Sequence, residues 1–181
     1  MTALEAAAER WIAGYFNERH LVRTRDWVVE LDASADEALL VAALTHDIER
    51  REPGGPVLDP RRQRWDDAGY LRAHSERSAQ MVEGWLQAAG ASPRLCSEVS
   101  DLIRHHEIGG FPAADRLQAA DSLSFLEVNA PRARGWVEQG RCTPAQARAK
   151  LDWMLDRIAL PQATARAESL HARALAILLS S

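Results

Sequence analysis

His46 and Asp47 close a run that otherwise has the pattern of a buried helix face, with Leu39, Leu40, Ala43 and Leu44 preceding them at three- and four-residue steps. Continuing that face places a carboxylate in the interior. A buried, ionised carboxylate is strongly unfavourable without a dense set of donors or a cation, and the adjacent imidazole points to a cation. The anomaly recurs elsewhere. His20 heads the stripe of Leu21, Trp27 and Val28, His74 precedes Ala79 and Met81, and His106, with His105 beside it, follows Leu102 and Ile103. Asp121 sits among Ala119, Ala120 and Leu123. A lone helical histidine is more often a hydrogen-bonded or surface residue than a ligand, yet five of the six histidines fall in this set and only His171 outside it. Imidazole and carboxylate ligands suit one or two divalent ions of iron, manganese, cobalt, nickel or zinc. Cys96 and Cys142 stand far apart and form no zinc-binding pair, so both are expected to be ordinary reduced thiols.

Arg50, Arg51, Arg61, Arg62, Arg64 and Arg72 cluster in and around the segment that follows His46-Asp47. Guanidinium forks match the oxygens of phosphate, so this cluster, with Arg23 one turn after His20, is the expected binding set for a small anionic substrate. The competing expectation is a solvated loop whose arginines pair with Glu49, Glu52, Asp59, Asp66 and Asp67. Glu18, close to His20, is a candidate general base or an acceptor that orients the histidine. Glu107 adjoins the histidine pair and is open to either role.

The elements that must position these groups are helices. Leu and Ala dominate the apolar residues, and apolar positions recur at helical spacing from Leu4 to Phe16 and from His20 to Leu31. Ser34 to Asp36 opens a third helix reaching about Arg50, and Arg51 to Trp65, rich in Pro and Gly, is a loop. Further helices are expected from Asp66 and Asp67 to Gly90, from Ser92-Pro93 to Gly109-Gly110, from Ala114 to Val128, from Thr143-Pro144 to about Leu160, and on to Leu179. That makes seven or eight helices around one core in a single domain of 181 residues.

With these elements in place, the stretch Ala42-Ala43-Leu44-Thr45-His46-Asp47-Ile48 resembles the signature of the HD-domain superfamily. The order His20, His46-Asp47, then Asp121 after two alanines is similar to its four metal ligands. The resemblance covers about residues 10 to 130, with residues 131 to 181 as C-terminal helices outside it. It implies a compact, all-α, multi-helix bundle with a metal site in its core. His74 and one of His105 and His106 would add a second ion, with Asp47 bridging the two. The implied activity is metal-dependent phosphohydrolysis, in which a metal-activated water attacks a small phosphorylated substrate, a nucleotide being one candidate; Asp47 and Glu18 are the expected catalytic residues. A minority of dinuclear members are mixed-valent di-iron oxygenases that cleave C–C or C–P bonds, and here Tyr15 and Glu18 would be the matching pair near the first histidine. The third expectation is a nucleotide-binding regulatory module with a structural metal.

A formal charge of −4 and a pI near 5.9 give no basic face for a nucleic-acid polymer. No basic-then-apolar leader and no run of about eighteen apolar residues occurs, so the expectation is a cytoplasmic protein without membrane contact. Trp85, Trp136 and Trp153 are expected in the core, a homodimer face being the other assignment.

Overall fold

The computed structural model describes residues 1–180, and among them there is no strand. The chain forms α1 (Ala3–Ile12), α2 (Glu18–Leu31), α3 (Glu37–Thr45), α4 (Ala68–Ala88), α5 (Pro93–His105), α6 (Pro112–Ser124), α7 (Ala130–Glu138), α8 (Pro144–Asp156) and α9 (Pro161–Leu179). Side chains set several of the starts. Asp36, Asp67 and Ser92 accept from the free amides of Leu39, Tyr70 and Leu95. Thr2 with Glu5, and Thr143 with Gln146, form reciprocal capping boxes.

α3 is the centre of the bundle. Ala38, Leu39 and every residue from Val41 to Thr45 are buried, because α1, α2, α5 and α6 pack around it. One buried apolar cluster extends from Ala8 on α1 to Ala174 on α9. The C-terminal helices therefore share the core with the helices that carry the histidines. No helix among the described residues is long and apolar enough to cross a membrane.

Of the boundaries that differ from the sequence expectation, three have a clear local reason, while α5 and α8 also end about four residues early, at His105 and Asp156. The first helix ends at Ile12 rather than Phe16, because Gly14 takes a left-handed conformation (φ 75°) and turns the chain. The third helix stops at Thr45 with His46 as its cap; Asp47 leaves helical geometry and a 3-10 turn follows over Ile48–Arg51. The helix expected to finish at Val128 instead widens into a π-turn over Phe125–Asn129 and continues as α7 past Pro131. The π-turn breaks the regular hydrogen-bond ladder just where Pro131 cannot donate to it.

The segment 52–67 is irregular, as expected, and it is strapped across the bundle. Trp65 Nε1 donates to Gln146 O (2.6 Å), and Gln146 Nε2 donates back to Pro60 O (2.6 Å). The Trp65 ring stacks on Trp136 with centroids 5.4 Å apart. Trp85 stacks on Trp11 instead, and Trp85, Trp136 and Trp153 are all partly buried against the core.

Because Leu44 is fully buried at the centre of this packing, Leu44→Ala is expected to lower folding stability by about 2–5 kcal/mol. Leu179→Ala, at an exposed site, should change it by less than about 0.5 kcal/mol. Urea denaturation of both variants checks the contrast.

Candidate metal centre

Five elements bring their polar residues to one point inside the bundle. His20 lies in the first turn of α2, His46 caps α3 with Asp47 directly after it, His74 is in α4, His106 caps α5 with Glu107 next, and Asp121 is in α6. All seven are buried. His20 Nε2 is 3.0 Å and His46 Nε2 3.4 Å from Asp121 Oδ1, while His74 Nε2 is 2.9 Å from Asp47 Oδ1. Glu107 Oε1 is 3.6 Å from His106 Nε2 and 3.9 Å from His74 Nε2. Two ligand atoms bound about 2.1 Å from one ion at ordinary coordination angles stand roughly 3.0–3.4 Å apart, close to these separations.

The far side of each imidazole is tied to the protein. His46 Nδ1 donates to Ala43 O (3.0 Å), His106 Nδ1 to Ile103 O (2.6 Å) and His74 Nδ1 to Glu49 Oε1 (2.9 Å). Ser124 Oγ donates to the His20 carbonyl, so it accepts from His20 Nδ1 (2.9 Å). Every Nδ1 thus carries a proton, and in the neutral ring Nε2 presents a lone pair. The Nε2 atoms of His46, His74 and His106 are buried and make no aligned hydrogen bond, although carboxylate oxygens are near. Orphaned, convergent nitrogens beside buried carboxylates are what a divalent cation requires, and three overlapping groups could hold one: His20, His46 and Asp121; His46, Asp47 and His106; His74, His106 and Glu107. Neither cysteine contributes; both are buried and unpaired.

The electrostatics agree with this. Burial alone would raise the Asp47 and Asp121 carboxyls, yet Arg50 with His74 and His46, and Arg157 with His20 and His46, hold them well below the usual carboxylate range. Glu107 is likewise held low against its burial by Arg157, His106 and Lys150. Burial pushes His106 down to about 4, whereas the carboxylates Asp121 and Asp47 raise His46, and Asp47 and Glu49 raise His74, despite burial. Without a cation, His46 and His74 hold a second proton more tightly than a free imidazole does, and a divalent ion would displace it.

His20, Asp47, Glu107 and Asp121 of the cluster form the floor of a cavity of about 350 Å³, with Pro56, Leu58, Pro60 and Trp65 of the 52–67 strap among the rest of its lining. Of the arginines expected to bind substrate, only Arg50 reaches it, paired with Asp47 and donating to Tyr70 Oη (3.2 Å). Arg61 and Arg62 face Asp59, Arg64 faces Asp66, Arg51 donates to the Trp11 carbonyl, and Arg72 is exposed on α4. Arg23 and Glu18 line a separate shallow groove, where Arg23 pairs with Glu30 and Glu127. Glu18 accepts from the Gly14 amide (2.7 Å), so it does not orient His20. His105 points away from the cluster, its Nδ1 on Asp101 O (2.8 Å) and its ring against Phe111.

The cavity's other cations, Arg132 on α7, Arg141 in the turn after it, Lys150 on α8 and Arg157 at the C-terminal cap of α8, all lie beyond residue 130, where no sequence pattern marked them. Arg157 bridges Glu107 and Asp121 and also donates to Ser122 Oγ (2.7 Å). Asn17 links Arg132 to Asp47, accepting at Oδ1 (2.7 Å) and donating from Nδ2 (2.8 Å). Tyr15 donates its hydroxyl to the Asp47 carbonyl (2.9 Å), and burial keeps that phenol protonated. Glu49, only 1% exposed, lies so close under Gly55 that a Cβ there would stand 2.2 Å from its Oε2. In the sequence Glu49 was marked only by its place beside His46-Asp47 and among the arginines, Asn17 only by its place near His20, and Tyr15 only as half of the pair near the first histidine that the oxygenase resemblance implies.

Glu49→Ala is expected to weaken metal binding at His74 by about 10–100-fold, since it frees the ring that Glu49 orients. Competition against a chromogenic chelator measures this, with Glu49→Gln losing less. In the metal-stripped protein His106 is neutral when folded down to about pH 4 but protonates near its ordinary 6.5 when unfolded, so its contribution to stability is lost as pH falls through that window. Between pH 7 and 4.5, in chelator, the urea midpoint should fall less in His106→Gln than in wild type.

No protein-family model matches the chain, nor does any curated protein or solved structure.

Proposed function

We propose that this chain is a metal-dependent hydrolase of small phosphorylated compounds, built on an HD-type ligand set. The observation that carries the proposal is the convergence of imidazole Nε2 atoms, each ring fixed through Nδ1, on buried carboxylates at the floor of a cation-lined cavity. His20, His46, Asp47 and Asp121 would hold one ion; Asp47, His74 and His106, with Glu107, would hold a second. A bound divalent ion supplies a nucleophilic water near neutral pH and neutralises phosphate oxygens.

The protein's own groups do the rest. Arg50 and Arg157 stand beside Asp47, Asp121 and Glu107 and line the cavity, so a phosphate at the cluster would meet their positive charge while they balance the carboxylates. Asn17 and the Tyr15 hydroxyl fix Asp47 from behind. The 52–67 strap, latched through Trp65 and Gln146, shields the floor from bulk water and strengthens these charge interactions.

Elemental analysis together with release of phosphate from p-nitrophenyl phosphate and from a panel of sugar phosphates and nucleotides tests the proposal. About two ions per chain are expected, with hydrolysis falling at least about a thousandfold in Asp47→Ala. A metal-free protein that hydrolyses nothing on addition of manganese, cobalt, iron or zinc sinks it. Substrate-dependent oxygen uptake without phosphate release would replace it with the di-iron oxygenase.

A further inference from the structure

Lys150, on α8, lines the cavity and differs from the deep cations around it. Arg50 is paired with Asp47, Arg157 with Glu107 and Asp121, and Arg132 donates to Asn17 and the Phe16 carbonyl. Lys150 has neither a hydrogen-bond partner nor a carboxylate within 4.0 Å among the described residues. Aromatic faces surround its ammonium instead: Trp153 at 4.1 Å, Phe125 at 5.1 Å and Trp65 at 5.8 Å from the ring centroids. Rings hold a cation in place by their quadrupoles but accept none of its N–H groups well, so the three donors remain for whatever enters the cavity. Burial among those rings lowers the ammonium pKa to about 7, which marks a cation short of acceptors.

The position also matters. The ammonium is set back from every cluster carboxylate, and Trp65 reaches it from the strap. A phosphate seated on the cluster would have Arg50 and Arg157 beside it, leaving Lys150 to face another part of the same molecule. A cavity of about 350 Å³ is at the small end for ligand sites, so that part lies only a few bonds from the reacting phosphate.

We propose that Lys150 is a specificity-determining residue that binds a second anionic group of the substrate, making the preferred substrate a compact phosphate ester that also carries a carboxylate or a further phosphate. This rests on the reading of the cluster as a phosphoesterase site.

Matched pairs of probes separate the possibilities: 3-phosphoglycerate against glycerol 3-phosphate for a carboxylate, and fructose 1,6-bisphosphate against fructose 6-phosphate for a phosphate. Calorimetric titration of the metal-loaded protein reads binding whether or not hydrolysis follows. The wild type should bind the doubly anionic member of one pair roughly tenfold or more tightly, as expected for one charge-assisted hydrogen bond. Lys150→Met should erase that preference, leave the singly anionic probe and the metal content unchanged, and be rescued in large part by Lys150→Arg. Equal affinity within both pairs in wild type, or equal losses on both members in Lys150→Met, overturns the proposal. If the preference is present but no ester is hydrolysed, the anion site stands and the hydrolase reading fails; hydrolysis without a preference gives the reverse.

Discussion

The structure depends on keeping Asp47, Asp121 and Glu107 ionised inside a helical bundle. Each is nearly sealed from water, and in an apolar interior an unbalanced carboxylate would take up a proton or unfold its surroundings. Balance comes from two sides at once. Arg50 and Arg157 press on the outer oxygens while imidazoles face the inner ones. Much of the architecture can be read as the means of delivering these partners. α3 stops at Thr45 so that Asp47 leaves the helix and turns its side chain toward α4, and the 3-10 turn brings Arg50 onto that same carboxylate.

The π-turn serves the same end from the other side of the molecule. α6 supplies Asp121 and Ser124, the latter holding His20, and a chain that ended at Val128 would leave the cavity open on that side. By widening over Phe125–Asn129, the rod carries past Pro131 into α7 and sets Arg132 against Asn17. π-turns are costly irregularities that tend to sit at functional sites, and here the irregular residues Phe125 and Asn129 line the cavity themselves.

Much of the candidate metal-binding floor was legible in the sequence, and little of the wall was. A polar residue on an apolar stripe is a contradiction visible without coordinates, which is why His20, His46, Asp47, His74 and Asp121 stood out. His105 and His106 could not be separated that way, because both adjoin the apolar stripe at the end of α5; only the orientation of that helix decides that His106 enters the cluster and His105 lies half-buried against Phe111. Arg157 and Lys150 carry no such contradiction. They look like ordinary charges on amphipathic helices, and their burial follows from how α8 packs across the cluster, a long-range fact with no local signature. Proximity in sequence misled for the same reason: Arg61, Arg62 and Arg64 follow the His46-Asp47 pair closely, but the strap aims them outward at Asp59 and Asp66.

The division between floor and wall has a physical consequence for specificity. The imidazoles are locked by hydrogen bonds that run into helix backbones and buried side chains, so the ligand geometry is fixed by the same contacts that fix the fold. The 52–67 strap is instead latched at its surface, through one tryptophan, one glutamine and a stack of two rings. Substitutions in the 52–67 strap can therefore reshape the cavity while leaving the cluster intact, whereas any change to the floor perturbs the core with it. On the proposed reading, reactivity and recognition would thus be carried by different parts of one molecule, with Arg157 the residue that belongs to both.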